Sequence, residues 1–225
     1  ERETVADVAR NLARIVDMIV ARTFKHTVLV ELASHATVPV INGLSDLHHP
    51  CQVLADLFTL VEHRRQLDEL RIVFIGDGNN LVHSWMEAAT LFPFTFALAC
   101  PSGYEPDADL LAECRTRGAT IEVTTSVTDA VRGAHVLYTD VWTSMGQEDE
   151  AAERRHRFAN YQINDEVMRH AATDALVMHC LPAHRGEEIT DTVLEGRHSI
   201  IFDQAENRLH LQKALMAWLA RESTR

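Results

Sequence analysis

Three short apolar runs, each followed at once by a cluster of polar residues, constrain the fold of this chain most strongly. The runs with their clusters cover residues 72–75 with 76–80, 135–139 with 140–146, and 175–178 with 179–182. Runs of this length and composition are typical of buried strands. The carboxyl ends of parallel strands lie along one edge of a sheet, which is where α/β proteins bind ligands. The three polar clusters are therefore predicted to face one crevice.

Strand-like and helix-like segments alternate along the chain, which predicts an α/β fold built from parallel βαβ units. Residues 17–22 are predicted to form a buried strand, and residues 50–63 a helix with Pro50 in its first turn. The polar segment 62–69 places a domain boundary near residue 67. An apolar stripe predicts a last helix that docks on a surface. The stripe consists of Leu209, Leu211, Leu215, Trp218 and Leu219.

Charge and hydropathy narrow the class of ligand. The formal net charge is -12, from 33 acidic and 21 basic side chains, which argues against nucleic acid as a partner. We therefore expect a small-molecule ligand. No apolar stretch is long enough for a membrane helix, and the opening residues lack signal-peptide character, so we expect a cytoplasmic protein. The cysteines form no CxxC pair and are expected to be reduced thiols. They are Cys51, Cys100, Cys114 and Cys180.

The turn at residues 76–80 allows two interpretations. Gly76 and Gly78 form a GxG pair, but the third glycine of a dinucleotide-binding GxGxxG is absent. The alternative is a strand-to-helix turn with an asparagine cap, in which free helix N–H groups could hold an anion such as a carboxylate.

Histidines, cysteines and arginines at segment ends are further candidates. His48, His49, His179 and Cys180 are residue types that bind zinc, but their spacing does not fit a structural site, and no metal is expected. His49 and Cys180 are expected to be functional, although buried cysteine is often only a small hydrophobe. Arg22 at a strand end and Arg208 just before the predicted last helix could each form a surface ion pair. Alternatively, each could bind a phosphate or carbonyl oxygen.

Five motifs occur in a fixed order: HPCQ at 49–52, DGNN at 77–80, DVWTSMGQE at 140–148, HCLPAHRGEE at 179–188 and AENR at 205–208. This set resembles ornithine carbamoyltransferases, within the aspartate/ornithine carbamoyltransferase family. The SMG segment is what separates the ornithine enzymes from the aspartate enzymes.

The resemblance implies an α/β fold of two doubly wound parallel-sheet domains. Residues 1–66 would be an incomplete carbamoyl phosphate domain, 67–205 the ornithine domain, and 206–225 a C-terminal helix that returns to the first domain. A Ser-Thr-Arg-Thr-Arg phosphate loop, typical of the family's opening portion, does not occur in the sequence. We therefore expect the 225 residues alone to lack ordinary turnover. The resemblance also implies a homotrimer or higher homo-oligomer, and no cofactor.

The resemblance also implies roles for individual residues. The group expected to contact carbamoyl phosphate is Arg22, His49, Gln52, Cys180, Leu181 and Arg208. The group expected to hold L-ornithine is Asn80, for the α-carboxylate, with Asp140, Ser144 and Met145 at the α-amino end. Arg22 and His49 would donate to the carbonyl oxygen, and Asp140 and Cys180 would favour the neutral δ-amine. The catalytic set is therefore Arg22, His49, Asp140, Cys180 and Arg208.

The implied reaction carries the carbamoyl group to the δ-amine of ornithine and gives L-citrulline, in arginine biosynthesis or catabolism. A cis Leu181–Pro182 bond is implied too. The polar stretch 147–162 is expected either to be a mobile loop that closes on ornithine or a solvated charge run. Three alternatives stay open: an NAD-dependent oxidoreductase, a non-catalytic assembly or regulatory protein, and a carbamoyltransferase for another amine.

Overall fold

Helices and strands alternate throughout the computed structural model, which describes residues 3–63, 66–144 and 146–222. The strands are β1 Ile19–Arg22, β2 Val40–Leu44, β3 Arg71–Ile75, β4 Thr95–Ala99, β5 Thr120–Thr124, β6 Val136–Thr139 and β7 Leu176–His179. The helices are α1 Val5–Leu12, α2 His26–His35, α3 Pro50–Glu62, α4 Asn80–Ala88, α5 Ala108–Thr116, α6 Val127–Val131, α7 Ala151–Phe158, α8 Asp165–His170, α9 Asp191–Leu194 and α10 Ile201–Glu222. Short 3-10 helices cover Leu67–Glu69 and Glu148–Glu150. The α/β fold class is confirmed.

Five parallel strands form the larger sheet, in the order β5-β4-β3-β6-β7. Ile72 of β3 is in register with Phe96 of β4 on one side and Val136 of β6 on the other. The chain runs outward from β3 through β4 and β5, then returns to the other side of β3 for β6 and β7. The strand order therefore reverses between β3 and β6, and such a switch point leaves a crevice at the carboxyl ends of the strands.

Both faces of this sheet are covered by helices, so its central strands are continuous apolar runs. One side packs around Trp85, whose ring stacks on Phe96 with 6.2 Å between centroids. The other side packs around Leu137, Val177 and Phe158. A rigid, buried sheet of this kind holds the polar residues at its strand ends in fixed positions.

Parallel strands β1 and β2 form a second, two-stranded sheet. The predicted strand at 17–22 begins two residues later, at Ile19, and it is only partly buried. Ile19 packs with Ala9 and Leu32, whereas the Val20 side chain is 58% exposed. The apolar run thus correctly indicated a strand, but its composition overstated the burial.

The last helix begins at Ile201, earlier than expected, and Arg208 lies inside α10 and does not precede it. Leu209 and Trp218 of the predicted stripe are exposed. The helix instead buries polar residues against α3: the Asn207 amide donates to Thr59 Oγ1 over 3.1 Å and also to Glu62. Hydropathy missed this face because the residues that form it are amides.

Residues 147–162 contain a 3-10 helix and helix α7, so the segment is not wholly a loop, and its closure on ornithine stays a prediction. Arg154 and Phe158 of this helix are buried. Phe158 packs edge-to-face on Tyr104, with 4.7 Å between ring centroids. This segment of mostly charged residues therefore has a buried face that its composition does not indicate.

Among the described helices, none is both long and apolar enough to span a bilayer.

Candidate active site

The carboxyl ends of β3, β6 and β7 open into one cavity of about 1260 Å³. Eight of the residues predicted from the sequence line it: Arg22, His49, Asn80, Asp140, Ser144, Cys180, Leu181 and Arg208. Gln52 is fully buried and is not part of the cavity wall. Met145 lies outside the described residues. Thus the structure brings together most of a set chosen from distant parts of the chain.

The turn after β3 is built by an asparagine cap. Asn79 Oδ1 accepts from the backbone N–H groups of Leu81 and Val82 over 3.0 and 3.3 Å, which caps α4. Asn79 Nδ2 donates to Asp140 Oδ2 over 3.2 Å. A Cβ on Gly78 would lie 2.4 Å from the backbone nitrogen of Pro106, so this glycine is required by close packing. The structure thus favours the capped-turn interpretation of the GxG pair.

His49 stands at the start of α3, near two guanidinium groups. Its backbone N–H donates to Ser84 Oγ over 2.8 Å, and its Nδ1 is buried without a hydrogen-bond partner in the described part of the chain. Burial, followed by the charges of Arg208 and Arg22, lowers the pKa of His49 to about 4. The imidazole is therefore neutral at neutral pH and can offer an N–H without carrying charge.

Cys180 and Asp140 meet at the ends of β7 and β6. The Cys180 thiol donates to Asp140 Oδ1 over 3.0 Å, and the Val141 backbone N–H donates to the same oxygen over 2.8 Å. Burial, followed by the charge and hydrogen bond of Asp140, raises the pKa of Cys180 well above its usual value. The group is thus a neutral thiol. The expectation that Asp140 and Cys180 favour the neutral δ-amine stays a prediction, with Cys180 acting as a thiol.

His179 fixes the turn that presents Cys180 and Leu181. It is fully buried: its Nε2 lies 3.1 Å from Glu188 Oε1, and its Nδ1 accepts from the Leu181 backbone N–H over 2.8 Å. Leu181 has a φ of 57°, a left-handed conformation uncommon outside glycine. The Leu181–Pro182 peptide bond is cis, as expected.

Among the residues that the structure describes, two groups of side chains place enough ligand atoms together for a metal ion. The donor atoms of Asp140, His179 and Cys180 lie within 4.8 Å of one another, as do those of His184, Glu187 and Glu188. In the first group both His179 nitrogens are already hydrogen-bonded, and Cys180 is a thiol and not the thiolate that binds metal. The absence of a metal remains an expectation.

Residues 1–62 match the profile of the carbamoyl-P binding domain of aspartate/ornithine carbamoyltransferases, and residues 68–219 match that of the Asp/Orn binding domain. The chain belongs to the aspartate/ornithine carbamoyltransferase family. An ornithine carbamoyltransferase of Chlorobaculum tepidum is 54% identical over 220 residues, and a chloroplastic one of Pisum sativum is 50% identical over 217.

These matches cover 97% and 96% of the chain, but 65% and 58% of the two relatives. The solved structure of ornithine carbamoyltransferase from Pyrococcus furiosus superposes with a TM-score of 0.91 at 49% identity. That match covers 96% of this chain and 71% of the other. This member of the family therefore spans about two thirds of the length of the relatives that it resembles.

Arg154 is a cavity residue that the sequence did not reveal. Its side chain is 7% exposed; Nη1 lies 2.7 Å from Asp77 Oδ2 and Nε lies 2.9 Å from Glu150 Oε2. Nη1 also donates to the Trp142 carbonyl over 3.1 Å. These contacts connect α7 to the segments that follow β3 and β6. Nothing in a run of alternating charges distinguishes this arginine from its exposed neighbours.

Buried neutral histidines should make this protein sensitive to acid. Burial, followed by the charges of His26 and His83, lowers the pKa of His48 to about 4. Between pH 6.5 and 4 the unfolded chain binds a proton at this site that the folded chain does not, so stability falls as pH falls through this range. Asp56, whose pKa is raised to about 7, acts in the opposite direction.

Replacement of His48 separates its contribution to the pH dependence of stability from that of Asp56. When the pH drops from 7.5 to 5, we expect His48→Gln to lose about 2 kcal/mol less unfolding free energy than the parent. Urea unfolding at the two pH values measures this difference. Equal losses in both proteins would show that His48 is not held neutral by the fold.

Proposed function

We propose that the protein transfers the carbamoyl group of carbamoyl phosphate to the δ-amine of L-ornithine, giving L-citrulline and phosphate. One observation carries the proposal: Nδ1 of His49, Nε of Arg208 and Oε1 of Gln52 are buried polar atoms with no partner among the described residues. Two nitrogens and one acceptor oxygen match a carbamoyl group, whose carbonyl accepts and whose amide donates. Buried polar groups are normally paired, so unpaired ones suggest a missing ligand.

The arrangement suits a developing oxyanion. When the neutral amine attacks the carbonyl carbon, a C–N bond forms and negative charge grows on the carbonyl oxygen. In this proposal His49 donates as a neutral imidazole, while Arg22 and Arg208 supply positive charge beside it. Each preorganised donor of this kind typically lowers the barrier by about 3 kcal/mol. The bond between the carbonyl carbon and the bridging oxygen then breaks, phosphate leaves with that oxygen, and phosphate takes up the proton that the attacking nitrogen loses.

The ornithine side of the proposal rests on the ends of β3 and β6. Asn80 is the first residue of α4, where the positive end of the helix dipole favours a carboxylate. Its Nδ2 donates to the Ser45 carbonyl over 2.6 Å, and an amide nitrogen has a second hydrogen to offer. Asp140 and Ser144, with Met145, would hold the α-amino end.

The δ-amine of ornithine must lose a proton before it can attack, so its site must favour the neutral amine. In the proposal it lies near Cys180 and Leu181, at the end of β7. A neutral thiol adds no negative charge there, so it does not stabilise the ammonium form.

The remaining proposals follow from the family resemblance. We infer a cytoplasmic homotrimer, or a higher homo-oligomer, that acts in arginine biosynthesis or catabolism.

Cys180→Ser tests the neutral-thiol role. A serine hydroxyl can donate to Asp140 in place of the thiol, and both groups stay protonated between pH 6 and 9. We expect kcat to fall by less than about tenfold, well below the loss of a general acid or base, with an unchanged pH profile. Cys114→Ser, in the core away from the cavity, is the control. A shifted pH optimum in Cys180→Ser alone would show that Cys180 ionises during the reaction.

The reaction itself is tested with an amine panel. The full-length protein is incubated with carbamoyl phosphate and L-ornithine, putrescine or L-aspartate, and the ureido product is measured. We expect citrulline to form fastest, because ornithine alone offers both a δ-amine and the α-substituents that Asn80 and Asp140 would hold. Preference for putrescine would instead support a carbamoyltransferase for another amine, and no product with any amine would support a non-catalytic protein.

A further inference from the structure

The side-chain amide of Gln52 is held in one orientation by a buried carboxylate. Gln52 Nε2 donates to Oδ1 of Asp56, one helical turn later on α3, over 2.8 Å. A carboxylate can only accept hydrogen bonds, so the amide nitrogen must face Asp56 and the amide oxygen must face away. That oxygen is buried and has no partner within the described ranges. It is thus a buried acceptor that can accept a hydrogen bond from a bound ligand.

Asp56 is itself held by donors from two other elements. Gln204 Nε2 of α10 donates to Oδ1 over 2.7 Å, and the Tyr138 hydroxyl of β6 donates to Oδ2 over 2.9 Å. Gln204 Oε1 in turn accepts from the His179 backbone N–H over 2.9 Å. The carboxylate is therefore anchored to α3, β6 and α10, and through Gln204 to β7. A network satisfied in this way is rigid and leaves Gln52 little freedom to turn its amide.

We propose that Asp56 is a positioning residue that makes Gln52 an obligatory hydrogen-bond acceptor. This orientation makes the site select an acyl phosphate with an amide N–H over one with a methyl group at the same place. The inference rests on the proposed binding of carbamoyl phosphate. An amide N–H satisfies the buried Gln52 oxygen, whereas a methyl group leaves it unpaired. If Gln52 were turned over, its own NH₂ would face the carbamoyl NH₂, and two donors would meet.

Two stable ligands isolate the effect. Phosphonoacetamide and acetonylphosphonate both carry a phosphonate and a carbonyl, and they differ in an NH₂ or CH₃ group. Titration calorimetry on the full-length protein at pH 8, above the Asp56 pKa of about 7, gives the ratio of the two Kd values. We expect the wild type to prefer the amide by about tenfold or more, which corresponds to one buried acceptor left unpaired.

The variants then separate positioning from simple structural support. Asp56→Leu removes the acceptor that orients Gln52, so the preference should fall to about twofold or less. Asp56→Asn preserves shape but can present either an oxygen or a nitrogen to Gln52, so its preference should be intermediate. Tyr138→Phe keeps the Asp56–Gln52 contact and should keep the wild-type ratio. A merely structural role would weaken both ligands equally and leave the ratio unchanged.

A double-variant cycle shows whether Asp56 acts through Gln52. Gln52→Met should abolish the preference, and adding Asp56→Leu to it should change the ratio no further. An unchanged ratio in the folded Asp56 variants, or in Asp56→Asn when the leucine variant does not fold, would overturn the inference. Equal binding of both ligands by the wild type would also overturn it, while leaving carbamoyl phosphate binding intact. Failure of the wild type to bind either ligand would instead refute the proposed function.

Discussion

Replacement of His49 by phenylalanine is expected to lower kcat/KM for carbamoyl phosphate by about two to three orders of magnitude, because it removes one preorganised donor from the developing oxyanion. Phenylalanine retains a planar ring at the start of α3, so packing changes little. Burial and the charges of Arg208 and Arg22 keep the pKa of His49 near 4. The imidazole is therefore neutral from pH 6 to 8, and the ratio of wild-type to variant rates should be constant over that range.

Two further variants provide a control and a partial rescue for His49→Phe. His63→Phe changes a histidine just beyond the other end of α3, where the ring pairs with Asp203, and it should leave the rate near that of the wild type. His49→Gln restores an N–H donor and should recover part of the loss. Steady-state kinetics with the folded fraction measured in parallel compares them. A full rate in His49→Phe would exclude His49 from the oxyanion site.

Replacement of Arg154 by leucine is expected to lower the free energy of unfolding by about 3 to 5 kcal/mol, since it leaves a buried charge unpaired. The partner of Arg154 is Asp77, whose side chain is 12% exposed, and the two groups are 2.7 Å apart. The Trp142 carbonyl would also lose its donor. Urea unfolding curves measure the difference.

A neighbour on the same helix provides the control. Arg157 is 57% exposed and lies 3.7 Å from Glu153, so Arg157→Leu should change stability by less than about 1 kcal/mol. Combining Arg154→Leu with Asp77→Asn removes the unpaired charge and should recover part of the loss. Equal effects of Arg154→Leu and Arg157→Leu would refute the buried ion pair.

Much of the fold could be predicted from apolar runs and capping residues. Strands β3 and β6 are paired on both sides and β7 on one side of a buried parallel sheet, so their sequences are the apolar runs that such strands require. The start of α3 at Pro50 was also predictable, because a missing N–H costs nothing in the first turn. The polar residues after the strands meet in one cavity because the strands are parallel.

The remaining features depend on contacts between distant residues. The inner face of α10 is formed by Gln204 and Asn207, and only their partners on α3 show why amides are buried there. Arg154 is buried because Asp77, 77 residues away, has its carboxylate at the same point. The neutral state of Cys180 likewise follows from burial beside Asp140, which the order of residues does not encode. Periodicity reports local structure, whereas pairing of buried polar groups is set by tertiary structure.

The central claim is that the unpaired buried atoms of His49, Arg208 and Gln52 receive a carbamoyl group. A crystal structure of the full-length protein with phosphonoacetamide tests it most directly. We predict that the ligand carbonyl oxygen lies about 3 Å from a ring nitrogen of His49 and from Nε of Arg208, and that its amide nitrogen lies about 3 Å from Oε1 of Gln52. A ligand bound elsewhere, or bound with its amide nitrogen toward His49, would contradict the account.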